Sequence, residues 1–84
     1  MGFKITYKSS VAKDCKRFPK KDVAQIFDKV DAELVEHPDR FPVLSGKFAG
    51  MRKLRAGNYR VIYVILDTAV LVLRIQHRKD VYRN

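Results

Sequence analysis

The fold is decided by the ten residues from Met51 to Arg60, MRKLRAGNYR, which continue into the apolar run VIYVIL and end at Asp67. Gly57 and Asn58 adjoin in this stretch, and both residue types tolerate the positive φ angles that tight turns need. We therefore predict a short strand, a turn centred on these two residues, and a longer strand.

This turn also predicts which side chains share a face of the sheet. Side chains alternate between the two faces with a period of two, and directly opposed residues share a face. With the turn at its centre, the hairpin pairs Ala56 with Tyr59, Arg55 with Arg60, and Leu54 with Val61. Lys53, Arg55 and Arg60 are therefore predicted to point the same way.

Two explanations fit three cations on one face. Like charges that lie opposite each other destabilise a sheet, so such a cluster is typical of a site that binds a polyanion. Alternatively, edge strands carry lysine and arginine to prevent aggregation. Because three cations occur together and further arginines follow near the C-terminus, we favour an anion-binding site.

Composition limits the class of protein. The chain has 84 residues, a net charge of +9 and a pI of about 10.0. We predict one domain over residues 1–84, with nucleic acid, an acidic protein, or both as partners.

The cysteine content and the apolar segments bear on the compartment. Cys15 is the single cysteine, so no internal disulfide forms, which favours a reducing cytoplasm. Cys15 is either a reactive thiol or, as we favour, a small buried hydrophobe in a helix. The N-terminus has no apolar segment of a secretory signal, and no run approaches the roughly 20 apolar residues of a membrane helix.

The residues before the hairpin predict one strand and two helices. Residues 3–7 alternate between apolar and polar side chains, which predicts a half-buried strand. A short helix, capped by Ser9 or Ser10, runs to about Arg17, and a second helix covers residues 20–36. The second helix is predicted by apolar residues at helical spacing, namely Val23, Ile26, Phe27, Val30 and Leu34.

The remaining segments complete an α+β fold. Residues 39–50 predict a loop, and residues 70–75 are nearly all apolar, which predicts a strand in the centre of the sheet. We predict two N-terminal helices packed on one face of a mostly antiparallel four-stranded sheet, in the order β-α-α-β-β-β, with a short C-terminal tail. The other face is predicted to be open and to carry the basic residues.

No metal or cofactor motif is present. His37 and His77 stand far apart without ligand spacing, and there is no glycine-rich phosphate loop, so we predict no cofactor and no metal site. What remains is a basic and aromatic set. Arginines stabilise the charge on a reacting phosphate, histidine or lysine can move protons, and tyrosines stack on unpaired bases. The alternative is that the set only binds phosphates or an acidic partner.

Two motifs resemble a known family. The segment LRAGNYRVIY, followed by an apolar strand and then HRKDVYR, is similar to the RelE/ParE superfamily of type II toxins, and within it to the RelE branch. The resemblance spans essentially the whole chain and implies the RelE-like fold. It also implies an endoribonuclease that needs no metal, enters the ribosomal A site, cuts mRNA through the RNA 2′-hydroxyl and inhibits translation.

The resemblance also implies roles for individual residues. Arg60 matches the arginine that stabilises the transition state, Arg78 matches the arginine of the C-terminal motif, and Tyr82 matches the tyrosine that stacks on the substrate base. Lys53 matches a lysine in the strand before the turn. Met51, two residues earlier, stands where well-known ribosome-dependent members have a second lysine. The predicted catalytic residues are Lys53, Arg60, His77, Arg78 and Tyr82. The predicted RNA-binding residues are Arg52, Arg55, Tyr59, Lys79 and Arg83.

The implied partners are a cognate RelB-like antitoxin, mRNA and the ribosome, with DNA contacted only through the antitoxin complex and no membrane. Two alternatives stay open: a ParE-like gyrase inhibitor without nuclease activity, and an unspecific nucleic-acid binder. Arg60, Arg78 and Tyr82 together favour the nuclease.

Overall fold

The computed structural model describes residues 2–81, so the predictions for Tyr82 and Arg83 lie outside the described residues. Two short 3₁₀ turns, Pro38–Arg40 and Gly46–Phe48, lie in the loop between the helices and the hairpin. The helices and strands, in chain order, are β1 (Lys4–Tyr7), α1 (Ser9–Cys15), α2 (Lys20–Leu34), β2 (Arg52–Ala56), β3 (Tyr59–Leu66), β4 (Ala69–His77) and α3 (Arg78–Val81). None of the helices in the described part of the chain is long and apolar enough to cross a membrane.

The strands form one sheet in the order β1-β4-β3-β2. The pairs β2–β3 and β3–β4 are antiparallel, whereas β1 pairs with β4 in parallel, so the sheet is mixed. The parallel pair arises because the chain leaves β1 through two helices, re-enters at the far edge as β2, and returns to β1 by two hairpins. The α+β fold and the central position of residues 70–75 are confirmed, since β4 has a neighbour on each side.

The helix boundaries differ from the predictions in detail. The residue before α1 is Lys8, and no side chain caps the helix. The predicted serine cap is wrong because the Ser10 hydroxyl donates instead to the carbonyl oxygen of Leu73, at 2.5 Å. The second helix ends at Leu34, two residues early, since His37 before Pro38 leaves the helical region, with φ of −135° and ψ of 63°.

The core lies between the helices and one face of the sheet. Ile26, Val30 and Leu34 of α2 are fully buried, as the helical spacing predicts. Cys15 is half-buried against this core, and burial, together with the charge of Asp14, raises the pKa of its thiol. Cys15 is therefore a packing residue. The sheet side chains of the core are Leu54, Ala56, Tyr59, Val61, Tyr63, Val70, Val72 and Ile75.

The hairpin forms with the predicted register. Ala56 pairs with Tyr59, Arg55 with Arg60, and Leu54 with Val61. Gly57 has a φ of +62°, and a positive φ at the first central position is the type II′ pattern, for which glycine is preferred. Because Leu54 and Val61 face the helices, their neighbours in the strands face the other side.

Candidate functional site

Four cations gather around one pocket beside the hairpin turn, on the sheet face away from the helices. The pocket has a volume of about 130 Å³. Its lining residues are Lys53, Arg55, Gly57, Asn58, Tyr59, Arg60 and Arg78. We call this the basic pocket.

Strand alternation and register bring three of these cations together. Lys53 and Arg55 are two apart on β2, and Arg60 of β3 pairs directly with Arg55. Arg55 is exposed, whereas Lys53 and Arg60 are half-buried. The prediction that the three share a face is confirmed.

Arg78 joins them from the end of the chain. It is the first residue of α3, directly after β4, and its backbone N–H donates to the carbonyl oxygen of Asn58 at 2.7 Å. This bond ties the start of α3 to the hairpin turn. Arg78 is thereby held at the basic pocket, although 18 positions or more separate it in sequence from the other cations.

Arg60 is the most firmly oriented of the four. Its Nε donates to Oε1 of Gln76 at 2.9 Å, and its guanidinium carbon lies 5.7 Å from the centre of the Phe48 ring. An arginine has five N–H donors, so the two terminal nitrogens still have donors for a ligand. Gln76 and Phe48 thus fix the plane of the guanidinium without neutralising it.

The positive charge of the basic pocket is not compensated within the described part of the chain. The ion pairs found among residues 2–81 use Arg17, Lys29, Arg40 and Arg74 as cations. None of the four cations of the basic pocket is among them. Guanidinium groups held together in this way bind phosphate oxygens by charge-assisted hydrogen bonds.

Arg52, for which an RNA contact is predicted, contacts the loop before the hairpin in the structure. Its Nη1 donates to the carbonyl oxygens of Asp39 and Phe41, at 3.1 and 2.7 Å. It pairs with Tyr63, whose side chain belongs to the core face. Arg52 therefore holds the loop before the hairpin and does not reach the basic pocket.

Tyr59 borders the basic pocket but its ring belongs to the core. The residue is only 7% exposed, and its hydroxyl donates to Oδ2 of Asp22 at 2.7 Å. Burial and the bond to Asp22 raise the pKa of Tyr59 to about 12. The ring also packs edge-on against Phe18 and His77, with centres 4.7 and 4.9 Å away. The Tyr59 ring is thus packed in the core, and this structure does not present it for stacking on a base.

His77 and Lys79 line a different pocket, of about 470 Å³, which also includes Arg17, Phe18 and Asp22. Because His77 pairs with Tyr59, it faces the helices, whereas Arg60 faces away from them. Nδ1 of His77 accepts the backbone N–H of Lys79 at 3.0 Å. The structure therefore does not bring these two residues to the basic pocket.

Gln76 is a residue of the site that the sequence motifs did not single out. It stands next to the C-terminal motif, but its place beside Arg60 follows from a β-bulge. On β4, Leu73 has no partner: Val72 pairs with Tyr63, and Arg74 pairs with Ile62. Strand periodicity alone places Ile75 opposite Arg60. The signal for the bulge is the spacing of the buried residues: Val70 and Val72 are two apart, as in a regular strand, but Ile75 follows after three.

The comparisons agree with this fold. Residues 5–82 match the family model of the ParE toxin of type II toxin-antitoxin systems, parDE. Toxin RelG of Mycobacterium tuberculosis is 30% identical, over 99% of this chain and 99% of that protein. Toxin RelE of the same organism is 30% identical, over 96% of this chain and 87% of that protein. The toxin-antitoxin complex RelBE2, also from Mycobacterium tuberculosis, contains a chain with a TM-score of 0.84 and 27% identity, covering 93% of this chain and all of that one.

This chain therefore belongs to the RelE/ParE superfamily of type II toxin-antitoxin toxins. The resemblance drawn from the two sequence motifs is confirmed, as is the RelE-like fold.

Proposed function

We propose that this toxin is a metal-independent endoribonuclease that cuts mRNA in the ribosomal A site and thereby inhibits translation. The observation that carries the proposal is the basic pocket, in which Lys53, Arg55, Arg60 and Arg78 converge without a carboxylate partner among the described residues. The relatives named RelG and RelE support the same class of toxin.

The chemistry needs three tasks, which the four cations divide among them. Attack of the RNA 2′-hydroxyl on the neighbouring phosphate, with loss of the hydroxyl proton, produces a phosphorane with more negative charge than the ground state. Collapse of the phosphorane breaks the bond to the 5′-oxygen, which takes up a proton and leaves as a hydroxyl. Arg60 is already held by Gln76, so its guanidinium stabilises that charge without reorganisation. Arg55 and Arg78 bind the flanking phosphates, and Lys53 is the proton-transfer group of the pocket. Tyr82, by the family resemblance, stacks on the substrate base.

The proposal includes a cognate RelB-like antitoxin. RelBE2 is a toxin-antitoxin complex, and the net charge of +9 favours an acidic partner. We propose that the antitoxin covers the basic pocket or displaces the C-terminal tail. Co-expression with the adjacent gene is expected to yield a complex and to restore growth. Failure of both would contradict this part of the proposal.

A second candidate is a gyrase inhibitor without nuclease activity, because the matching family model describes a ParE toxin. Expression in bacteria separates the two. The nuclease predicts arrested translation, with new 5′ ends inside translated messages in primer extension and normally supercoiled plasmids. Supercoiling defects with intact messages would assign the gyrase function instead.

In these cells, Arg60→Ala is the test variant and Arg40→Ala is its matched control. Both guanidinium groups lie over a phenylalanine ring, Arg40 at 5.8 Å from Phe41 and Arg60 at 5.7 Å from Phe48. Only Arg60 lines the basic pocket. We expect Arg40→Ala to remain toxic and Arg60→Ala to permit growth.

A further inference from the structure

The bulge in β4 decides which residue lies beside Arg60. Counted from the turn, where Leu66 pairs with Ala69, a regular ladder would bring Ile75 opposite Arg60. The extra residue at Leu73 brings Gln76 there instead. An apolar Ile75 cannot accept the Nε–H of Arg60, whereas the Gln76 amide does so at 2.9 Å.

Beyond Val72, β4 has no strand on the β1 side, because β1 ends at Tyr7, and α1 supplies partners for the backbone groups at the bulge. Ser10 Oγ donates to the carbonyl oxygen of Leu73 at 2.5 Å. Oδ2 of Asp14 accepts the backbone N–H of Ile75 at 3.0 Å. Ser10 and Asp14 are four apart on α1, hence on one face of it, and they hold the two sides of the bulge.

The side chain of Arg74 completes this contact. Its Nε and Nη2 donate to the two carboxylate oxygens of Asp14, at 2.9 and 2.8 Å. Asp14 is 5% exposed, so one buried carboxylate receives three donors from the bulge. Removing a buried acceptor leaves such donors unsatisfied, which is costly, so these contacts stabilise the bulged register over the regular one.

We propose that Ser10 and Asp14 are positioning residues for the basic pocket: by binding the bulge at Leu73–Arg74 they hold Gln76, and through it Arg60, in register. This inference rests on the proposed nuclease function for its effect on rate. The effect on register stands on geometry alone. Neither residue lines the basic pocket, since α1 packs against β4 on the other side of the sheet.

The test measures register and activity separately. NMR of the full chain reports cross-strand NOEs from Arg60, and exchange of its Nε–H with solvent. In wild type we expect NOEs to Gln76 and a protected Nε–H. In Asp14→Ala we expect weaker NOEs to Gln76 and Nε–H exchange about tenfold faster. Asp14→Asn retains one oxygen acceptor, so it is expected to lie between the two.

Two further variants keep the test decisive. Ser10→Ala removes only one hydrogen bond and preserves the Asp14–Arg74 pair, so it serves if Asp14→Ala does not fold. Asp28→Ala, on the exposed face of α2, is the matched control and is expected to behave like wild type. Unchanged Arg60 NOEs and Nε–H exchange in folded Asp14→Ala, or in Ser10→Ala if Asp14→Ala is unfolded, would overturn the positioning role.

Single-turnover cleavage on programmed ribosomes then gives the effect on rate. We expect Asp14→Ala to lower the cleavage rate on the order of tenfold while the Kd for ribosomes stays unchanged, because a misplaced guanidinium impairs chemistry more than docking. A changed Kd with an unchanged rate would contradict the inference. If wild type cleaves no message while the register still responds to Asp14→Ala, the proposed function fails and the positioning role in the fold stands.

Discussion

Arg55 and Arg60 lie directly opposite each other on β2 and β3, with both side chains on the face away from the helices. Opposed like charges destabilise a sheet, by on the order of 0.2–1 kcal/mol. Neither arginine has a carboxylate partner among residues 2–81. The basic pocket thus combines local destabilisation with the capacity to bind an anion.

Replacing Arg55 should therefore stabilise the protein. We expect Arg55→Thr to raise the free energy of unfolding by about 0.5 kcal/mol at low salt, and to weaken binding of single-stranded RNA. Urea denaturation and RNA titration measure the two effects. The gain in stability should shrink in 1 M salt, where repulsion is screened. Equal or lower stability of the variant at low salt would contradict the repulsion argument.

Tyr59 provides a test of the core assignment. We expect Tyr59→Phe to lower the free energy of unfolding by about 1 kcal/mol, because Asp22 loses its donor. Message cleavage should be unaffected at temperatures where the variant is folded. The double variant Tyr59→Phe, Asp22→Ala should be less destabilised than the sum of the single variants, since both remove one bond. Additive effects would show that the two side chains do not interact.

Asp14 should make stability depend on acid pH. Burial tends to raise the pKa of its carboxyl, but hydrogen bonds from Arg74 and Ile75 and the charges of Arg74 and Arg17 outweigh burial and lower the pKa below the ordinary value of 3.8. The stabilisation is therefore fully present above pH 3.8 and is lost as the pH falls through the folded-state pKa.

The measurement is urea denaturation between pH 5 and pH 2. We expect wild type to lose more stability over this range than Asp14→Asn, which has no carboxylate to protonate. Asp28→Asn, exposed on α2, is the control for loss of one carboxylate. Equal losses in wild type and Asp14→Asn would show that the Asp14–Arg74 pair does not stabilise the folded state.

His77 tests whether catalysis is confined to the basic pocket. Removal of a general acid or base typically lowers a rate by about 10² to 10⁴-fold. Because His77 lies in the pocket of Phe18 and Asp22, we expect folded His77→Ala to show a far smaller loss of single-turnover cleavage than that. A hundredfold loss in the folded variant would instead place His77 in contact with the substrate on the ribosome.

The hairpin could be predicted residue by residue because its register depends only on neighbouring residues. Gly57 and Asn58 form a two-residue turn, and a two-residue turn leaves one pairing for the strands that flank it. From that pairing, the shared face of Lys53, Arg55 and Arg60 follows by alternation. The position of Arg78 at the same pocket was implied by family resemblance only, because the contact to Asn58 depends on how β4 ends.

The register of β4 could not be predicted in the same way. It is set by Ser10 and Asp14, which lie 63 and 60 positions from the bulge residues that they contact. The same long-range contact explains why the predicted helix cap was wrong, because the Ser10 hydroxyl donates to a carbonyl oxygen of β4 and does not cap α1. The core position of Tyr59 could not be predicted for a related reason: Arg60 follows it in the sequence, but its hydroxyl donates to Asp22 on α2.

The most direct test of the central claim is message cleavage by purified toxin on programmed ribosomes, read by primer extension. We expect wild type and Arg40→Ala to cut within the A-site codon, and Arg60→Ala and Arg78→Ala each to lower the single-turnover rate on the order of a hundredfold or more, with circular dichroism showing an intact fold. Full cleavage by a folded Arg60→Ala, Arg78→Ala double variant would contradict the account, and the basic pocket would then be a docking surface only.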